Sequence, residues 1–223
     1  MACDHFDPKT YANAMNLILE EYNNLHNEFT NNFKTVIEDY YNAWQSPKGW
    51  TKISNFHQWF SRSFVIASKA IVENYNIMLE SSKAYAASQD FMLSGVYDIK
   101  EKNFTVEEKQ SFDKDGEIII NRDKISEVGQ QLEISLQNML DCIENSLSQT
   151  ETDSKFGYYS VGDSNNPRES INRAYSSLLV SLKNATKQFQ LRFAEILEED
   201  RIAAEKAKTS AAVQNNDFSD IFN

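Results

Sequence analysis

The residues of this chain best suited to metal binding or nucleophilic chemistry are three histidines and two cysteines, and their spacing organises neither. His5, His26 and His57 lie far apart in sequence. No Glu-x-x-His pair occurs, the unit with which helical bundles hold di-iron centres. His57, beside Trp59 on a helical pattern, reads as a packing residue at an interface rather than a ligand. Cys3 and Cys142 define no disulfide framework and no zinc spacing. Asp141 and Glu144 flank Cys142; negative neighbours raise a thiol pKa, the opposite of what a nucleophile needs. Asp113-Lys114-Asp115-Gly116-Glu117 resembles the opening of a calcium loop, but its sixth position is Ile118 where the loop requires glycine. The six glycines are scattered, so no phosphate-cradling loop forms, and no Gly-x-Ser-x-Gly elbow is present. The expectation is a protein with no catalytic, cofactor-binding or metal-binding residues.

Composition narrows the class further. The chain has 223 residues, 41% of them hydrophobic, with 6 glycines and 3 prolines. So few turn-forming residues favour long helices over a β fold. The net charge of −11 argues against nucleic acid and against anionic membrane surfaces, which select basic patches. No stretch approaches the roughly 18 apolar residues of a membrane span. Met1 to Phe6 shows no basic start or apolar run, so no cleaved signal peptide is expected.

The elements that would position any site are long amphipathic helices. Apolar residues recur at helical spacing at Tyr11, Met15, Ile18, Tyr22, Leu25, Phe29, Phe33, Val36 or Ile37, Tyr40 and Trp44. The period resumes at Ile53, Phe56, Phe60, Phe64, Ala67, Ile71, Met78 and Tyr85. Between them lies Ala43-Trp44-Gln45-Ser46-Pro47-Lys48-Gly49-Trp50, a tight break that predicts an antiparallel hairpin. Asp7-Pro8, Ser46-Pro47 and Asn166-Pro167 each set a capping residue before proline at the head of a helical run, and Glu169 completes a capping box in the third. The predicted helices span 8–44, 47–94 with Gly95 as the stop, about 121–149, and 167 to about 208. The first two are rods of roughly 55–70 Å at ~1.5 Å per residue. Residues 96–121 read as a connector with a small β-hairpin turning at Asp115-Gly116. Residues 209–223 read as a disordered tail. The fold class is all-α, two hairpins (1–95 and 122–208) packed face to face as an antiparallel four-helix bundle.

Here the residues meet a family. The chain resembles the WXG-motif, early-secreted-antigen-like proteins of type VII secretion systems, helical hairpins of about half this length with Trp-x-Gly at the turn that pair into four-helix bundles. Ile118 to Leu132 is similar to the family's usual opening, and Phe193 to Arg201 to its usual close. Residues 7–95 look like another unit, with Trp44 at the turn. The resemblance makes Trp44, Ser46 and Gly49 the secretion and turn motif. It departs from the family where Ser46 replaces the motif glycine, and where Phe156-Gly157-Tyr158-Tyr159 stands in the second loop without tryptophan. Two Tyr-x-x-x-acid matches to the family's export signal occur, Tyr97 with Glu101 and Tyr159 with Asp163. At the close, Ile196 occupies the tyrosine position ahead of Asp200.

The resemblance implies a non-enzymatic protein secreted without a cleaved signal, acting as effector, co-secreted partner or export adaptor. Its partner would be the secretion ATPase or a co-secreted protein. The competing class is a cytosolic helical adaptor or chaperone. A neighbouring gene for a membrane-anchored FtsK/SpoIIIE-type ATPase separates them. Tyr40, Tyr41, Trp50 and Trp59 are core and turn packing, and wherever exposed a partner surface. Because one chain carries both hairpins, tethering at about millimolar effective concentration predicts a monomeric pseudo-dimer.

Overall fold

The computed structural model describes residues 5–107, 118–159 and 167–219. It is mostly helical: β1 (His5–Phe6), α1 (Pro8–Glu28), a π-helical turn (Phe29–Phe33), α2 (Lys34–Ala43), β2 (Trp44–Gln45), α3 (Pro47–Ser88), β3 (Ile119–Ile120), α4 (Arg122–Gln149), α5 (Asp153–Phe156), β4 (Tyr158–Tyr159) and α6 (Pro167–Ser219). The chain divides into two compact units, Met1–Lys183 and Asn184–Asn223. No helix among the described residues is long and apolar enough to cross a membrane.

The helix starts follow from their caps. The Asp7 carboxylate accepts from the Lys9 and Thr10 amides at 3.1 and 3.2 Å and from the Thr10 hydroxyl at 2.8 Å. The hydroxyl bond first, and the amide bonds with it, hold its pKa below the usual carboxylate value. Ser46 accepts from the Gly49 amide at 3.1 Å and Asn121 from the Lys124 amide at 3.0 Å. The capping box expected at Asn166 lies outside the described residues.

In the first unit, neighbouring helices run antiparallel. Buried tyrosines fasten α1 to α3: Tyr11 Oη donates to Met78 O (3.3 Å), Tyr75 Oη to Met15 O (3.1 Å), and Tyr22 Oη is hydrogen-bonded to Ser68 Oγ (2.6 Å). Burial raises the pKa of all three phenols, so they stay protonated donors at neutral pH. Further along, Phe33 stacks on Phe60 at 4.3 Å and Phe60 on Phe64 at 4.5 Å. The π turn sits in this aromatic cluster. Apolar residues every fourth position, such as Leu25, Phe29, Phe33 and Ile37, drift round an α-helix that advances about 100° per residue. One wider turn takes out that drift and keeps Phe29 and Phe33 buried.

Where the sequence predicted Gly95 as the stop of α3, the helix ends at Ser88. Asp90 supplies the left-handed residue (φ 55°); its amide donates to Ala87 O and the Phe91 amide to Ala86 O, the Schellman pattern. An L-residue pays for that conformation. Asp90→Gly is therefore expected to stabilise the protein by about 0.5–1 kcal/mol, read as a higher urea midpoint at unchanged slope. Gly95 is also left-handed (φ 77°) but opens the connector instead.

Within its described residues before 108 the connector forms no strand. Residues 96–107 form an extended strap lying along α1 and α3. The Asn76 amide brackets Ile99, donating to its carbonyl at 2.9 Å and accepting from its N–H at 3.0 Å. Asn16 donates to Gly95 O, Tyr75 to Tyr97 O, and Ser61 accepts from the Val106 amide. Ile99, Phe104 and Val106 are buried. Asp115-Gly116 lies outside the described residues. The predicted strand at Ile119–Ile120 exists, but it pairs with Trp44–Gln45. Residues 209–219, expected to be disordered, continue α6; Ala211 and Ala212 are strong helix formers. The final residues after Ser219 lie outside the description.

Candidate functional site

The break between α2 and α3 is built from the inside out. Ala43 ends the helix and Trp44 turns the chain (φ −128°, ψ 74°). Its indole is buried, 1% exposed. It lies flat against the first turn of α3, where a Cβ on Gly49 would meet the ring at 2.6 Å. The glycine this tryptophan needs thus stands five residues on, not two, which leaves the second position free for the capping serine. Trp44 and Gln45 pair antiparallel with Ile120 and Ile119, and the Asn121 amide donates to Ala43 O at 2.9 Å. Residues leading into α4 therefore brace the first turn.

The second loop mirrors this arrangement. After α4, the short α5 ends at Gly157 in a left-handed conformation (φ 75°). Tyr158 and Tyr159 pair antiparallel with Phe6 and His5, the residues leading into α1, and the Asp7 amide donates to Gly157 O at 2.8 Å. Phe156 is buried edge-on to Tyr11 at 5.5 Å. Arg168, at the head of α6, pairs with Asp153 at 2.6 Å and donates to Thr150 O, tying the loop's two ends together. Each loop thus sets an aromatic beside a glycine that has no room for a Cβ. Each is braced by the lead-in to the opposite helix pair. The sequence analysis named Phe156 and Gly157 only as a departure; nothing local signals the partner strand, which comes from the far end of the chain.

Of the residues expected at a partner surface, the structure brings Tyr40, Tyr41 and Trp50 to the turn but leaves few exposed. Tyr40 and Tyr41 are core residues, 0% and 2% exposed; a period of four along α2 carries both onto the inward faces. Trp50 is half-buried against Tyr41 at 4.4 Å. Trp59 alone of the four is exposed, at 44%, on the outer side of α3. Trp44, Ser46 and Gly49 are all buried.

Of the chemistry-capable groups, His57 and Cys142 lie within the packing of the helices. His57 is buried, with Nε2 2.8 Å from Tyr41 Oη. Burial, and next the Glu21 carboxylate, push the Cys142 thiol up to about 12, so it is un-ionised at neutral pH. The sequence pointed to Asp141 and Glu144; the larger charge comes from the packed helix. No group of histidine, cysteine and acidic side chains among the described residues could hold a metal ion. Beside β1 a cleft of about 330 Å³ is lined by His5, Phe6, Pro8, Tyr85, Ala86, Gln89 and Phe91, a mixed polar and apolar wall with no carboxylate. Of the two Tyr-x-x-x-acid matches, Tyr97 and Glu101 both point outward from the strap, Tyr97 at 68% exposure. The strap is extended there, so the two are not helical neighbours. Asp163 lies outside the described residues. No family model, no curated protein and no solved structure matches the chain.

Proposed function

We propose that this chain is a non-enzymatic protein that acts through helix–helix interaction, a tandem WXG-like protein exported by a type VII secretion system. In this reading the two hairpins form one four-helix bundle, a pseudo-dimer within a single chain. The observation that carries it is the reciprocal bracing: β3, ahead of the second hairpin, pairs with the first turn, and β1, ahead of the first hairpin, pairs with the second loop. Such an exchange is what two equivalent hairpins produce when they pair about a pseudo-twofold axis. The partners are the secretion ATPase or a co-secreted protein, and the destination is outside the cell without a cleaved signal.

Burial of Trp44 favours a second reading, a cytosolic adaptor or chaperone in which the aromatic turn is structural only. Export therefore has to be tested at exposed residues. In the native host, Tyr97→Ala combined with Glu101→Ala is expected to abolish extracellular accumulation at an unchanged cellular level. Equal extracellular amounts of variant and wild type, while the turn mutant of a known substrate is retained, would favour the adaptor.

A further inference from the structure

The outer face of α3 carries an apolar stripe that the bundle does not use. Trp59, Ile66 and Ile77 are 44%, 72% and 56% exposed, and Ala70 and Ala84 share their line. At about 100° per residue these five fall within roughly 20° of one line along the helix. Trp59 and Ala84 are equidistant from the level of Ile71–Val72, and so are Ile66 and Ile77. Laid antiparallel on a copy of itself, the stripe therefore sets the large Trp59 against the small Ala84, and Ile66 against Ile77.

The charges on one flank repeat this symmetry. Arg62 and Lys69 occupy the N-terminal half, Glu73 and Glu80 the C-terminal half, and all four are exposed. Within one chain Lys69 and Glu73 make only a loose pair at 3.9 Å. A twofold axis perpendicular to two antiparallel helices keeps each flank on its own side. It would thus bring Arg62 to the Glu80 level of the second copy, and Lys69 to its Glu73 level. A parallel pairing about an axis along the helices would carry the two charged flanks to opposite sides of the contact, where they do not meet.

We propose that α3 is a self-complementary interface, and that its partner is a second copy of this chain docked antiparallel along the Trp59–Ala84 stripe. The contact would be about 38 Å long at 1.5 Å per residue and about one helix wide. That places it at the low end of specific interfaces, below about 1,200 Å² in total, so the dimer is weak and exchanges. It is distinct from the pairing of hairpins within the chain and stands whether or not the chain is exported.

Sedimentation velocity of the full chain between about 10 µM and 1 mM tests this. The wild type is expected to move from 25.7 kDa toward twice that mass. The variants Arg62→Glu/Lys69→Glu and Glu73→Lys/Glu80→Lys each put four like charges on the flank, and each is expected to stay monomeric. An equimolar mixture of the two is expected to associate. Circular dichroism confirms that these surface changes leave the helices intact. A wild type that stays at 25.7 kDa throughout, or a mixture no more associated than its components, would overturn the proposal. So would a dimer that survives Ile66→Glu/Ile77→Glu, which would place the interface elsewhere.

Discussion

Trp44→Ala is expected to lower stability by about 3–5 kcal/mol, because the indole is fully buried and its removal leaves a large cavity. For a chain of this length that is a fall of roughly 6–20 °C in Tm. Its partner Gly49 shows why the site is fitted rather than merely apolar. In an ordinary helix Gly→Ala gains about 1 kcal/mol. Here the added Cβ would sit 2.6 Å from the indole ring, so Gly49→Ala is expected to destabilise by about 1–3 kcal/mol. With Trp44 already replaced by alanine, the same change should turn stabilising. That reversal of sign in a double-mutant cycle, measured by urea unfolding, identifies the contact itself. Additive effects would mean the ring and the glycine do not meet.

Gly157→Ala is expected to cost about 2–5 kcal/mol. Two terms combine. A left-handed residue other than glycine costs about 1–2 kcal/mol. The new Cβ would also lie 2.6 Å from the backbone nitrogen of Tyr11 and 3.0 Å from Asp7 O, atoms that cannot swing aside as a side chain can. Relief requires the loop to lift off α1, which breaks the Asp7 amide to Gly157 carbonyl bond. Loss of amide protection at Asp7 and at β1 in hydrogen exchange, with α3 protection retained, is the expected signature. A variant as stable as wild type would mean the loop is not docked.

The helices were legible because their signals are local. Asp7-Pro8 and Ser46-Pro47 announce starts whose side chains do cap them, and apolar stripes of helical period name the buried faces. What failed to show was set by chain returning from a distance. Ile118-Ile119-Ile120 reads as a strand, but no neighbouring residue says that its partner is Trp44. The strap at 96–107 alternates loosely, yet its partners are Tyr22, Tyr75 and Asn76 on two helices. Asp90 ends α3 because its side chain tolerates a left-handed backbone, a role the sequence suggests for Gly95 instead. Tyr40 and Tyr41 read as core and turn packing with a partner surface wherever exposed, and the packing at the end of α2 buries both.

The central claim is that each hairpin's turn is braced, within one chain, by the lead-in to the other. Cysteine cross-linking tests it most directly. In a background with Cys3→Ser and Cys142→Ala, the pair Gln45→Cys with Ile119→Cys joins one bridge, and His5→Cys with Tyr159→Cys joins the other, following the observed register. Dilute oxidation should give, for each pair separately, a disulfide within a single chain that migrates as a compact monomer under non-reducing conditions. Disulfides found only between chains, or formed no faster than in a control pair placed on opposite faces of α3, would contradict the account.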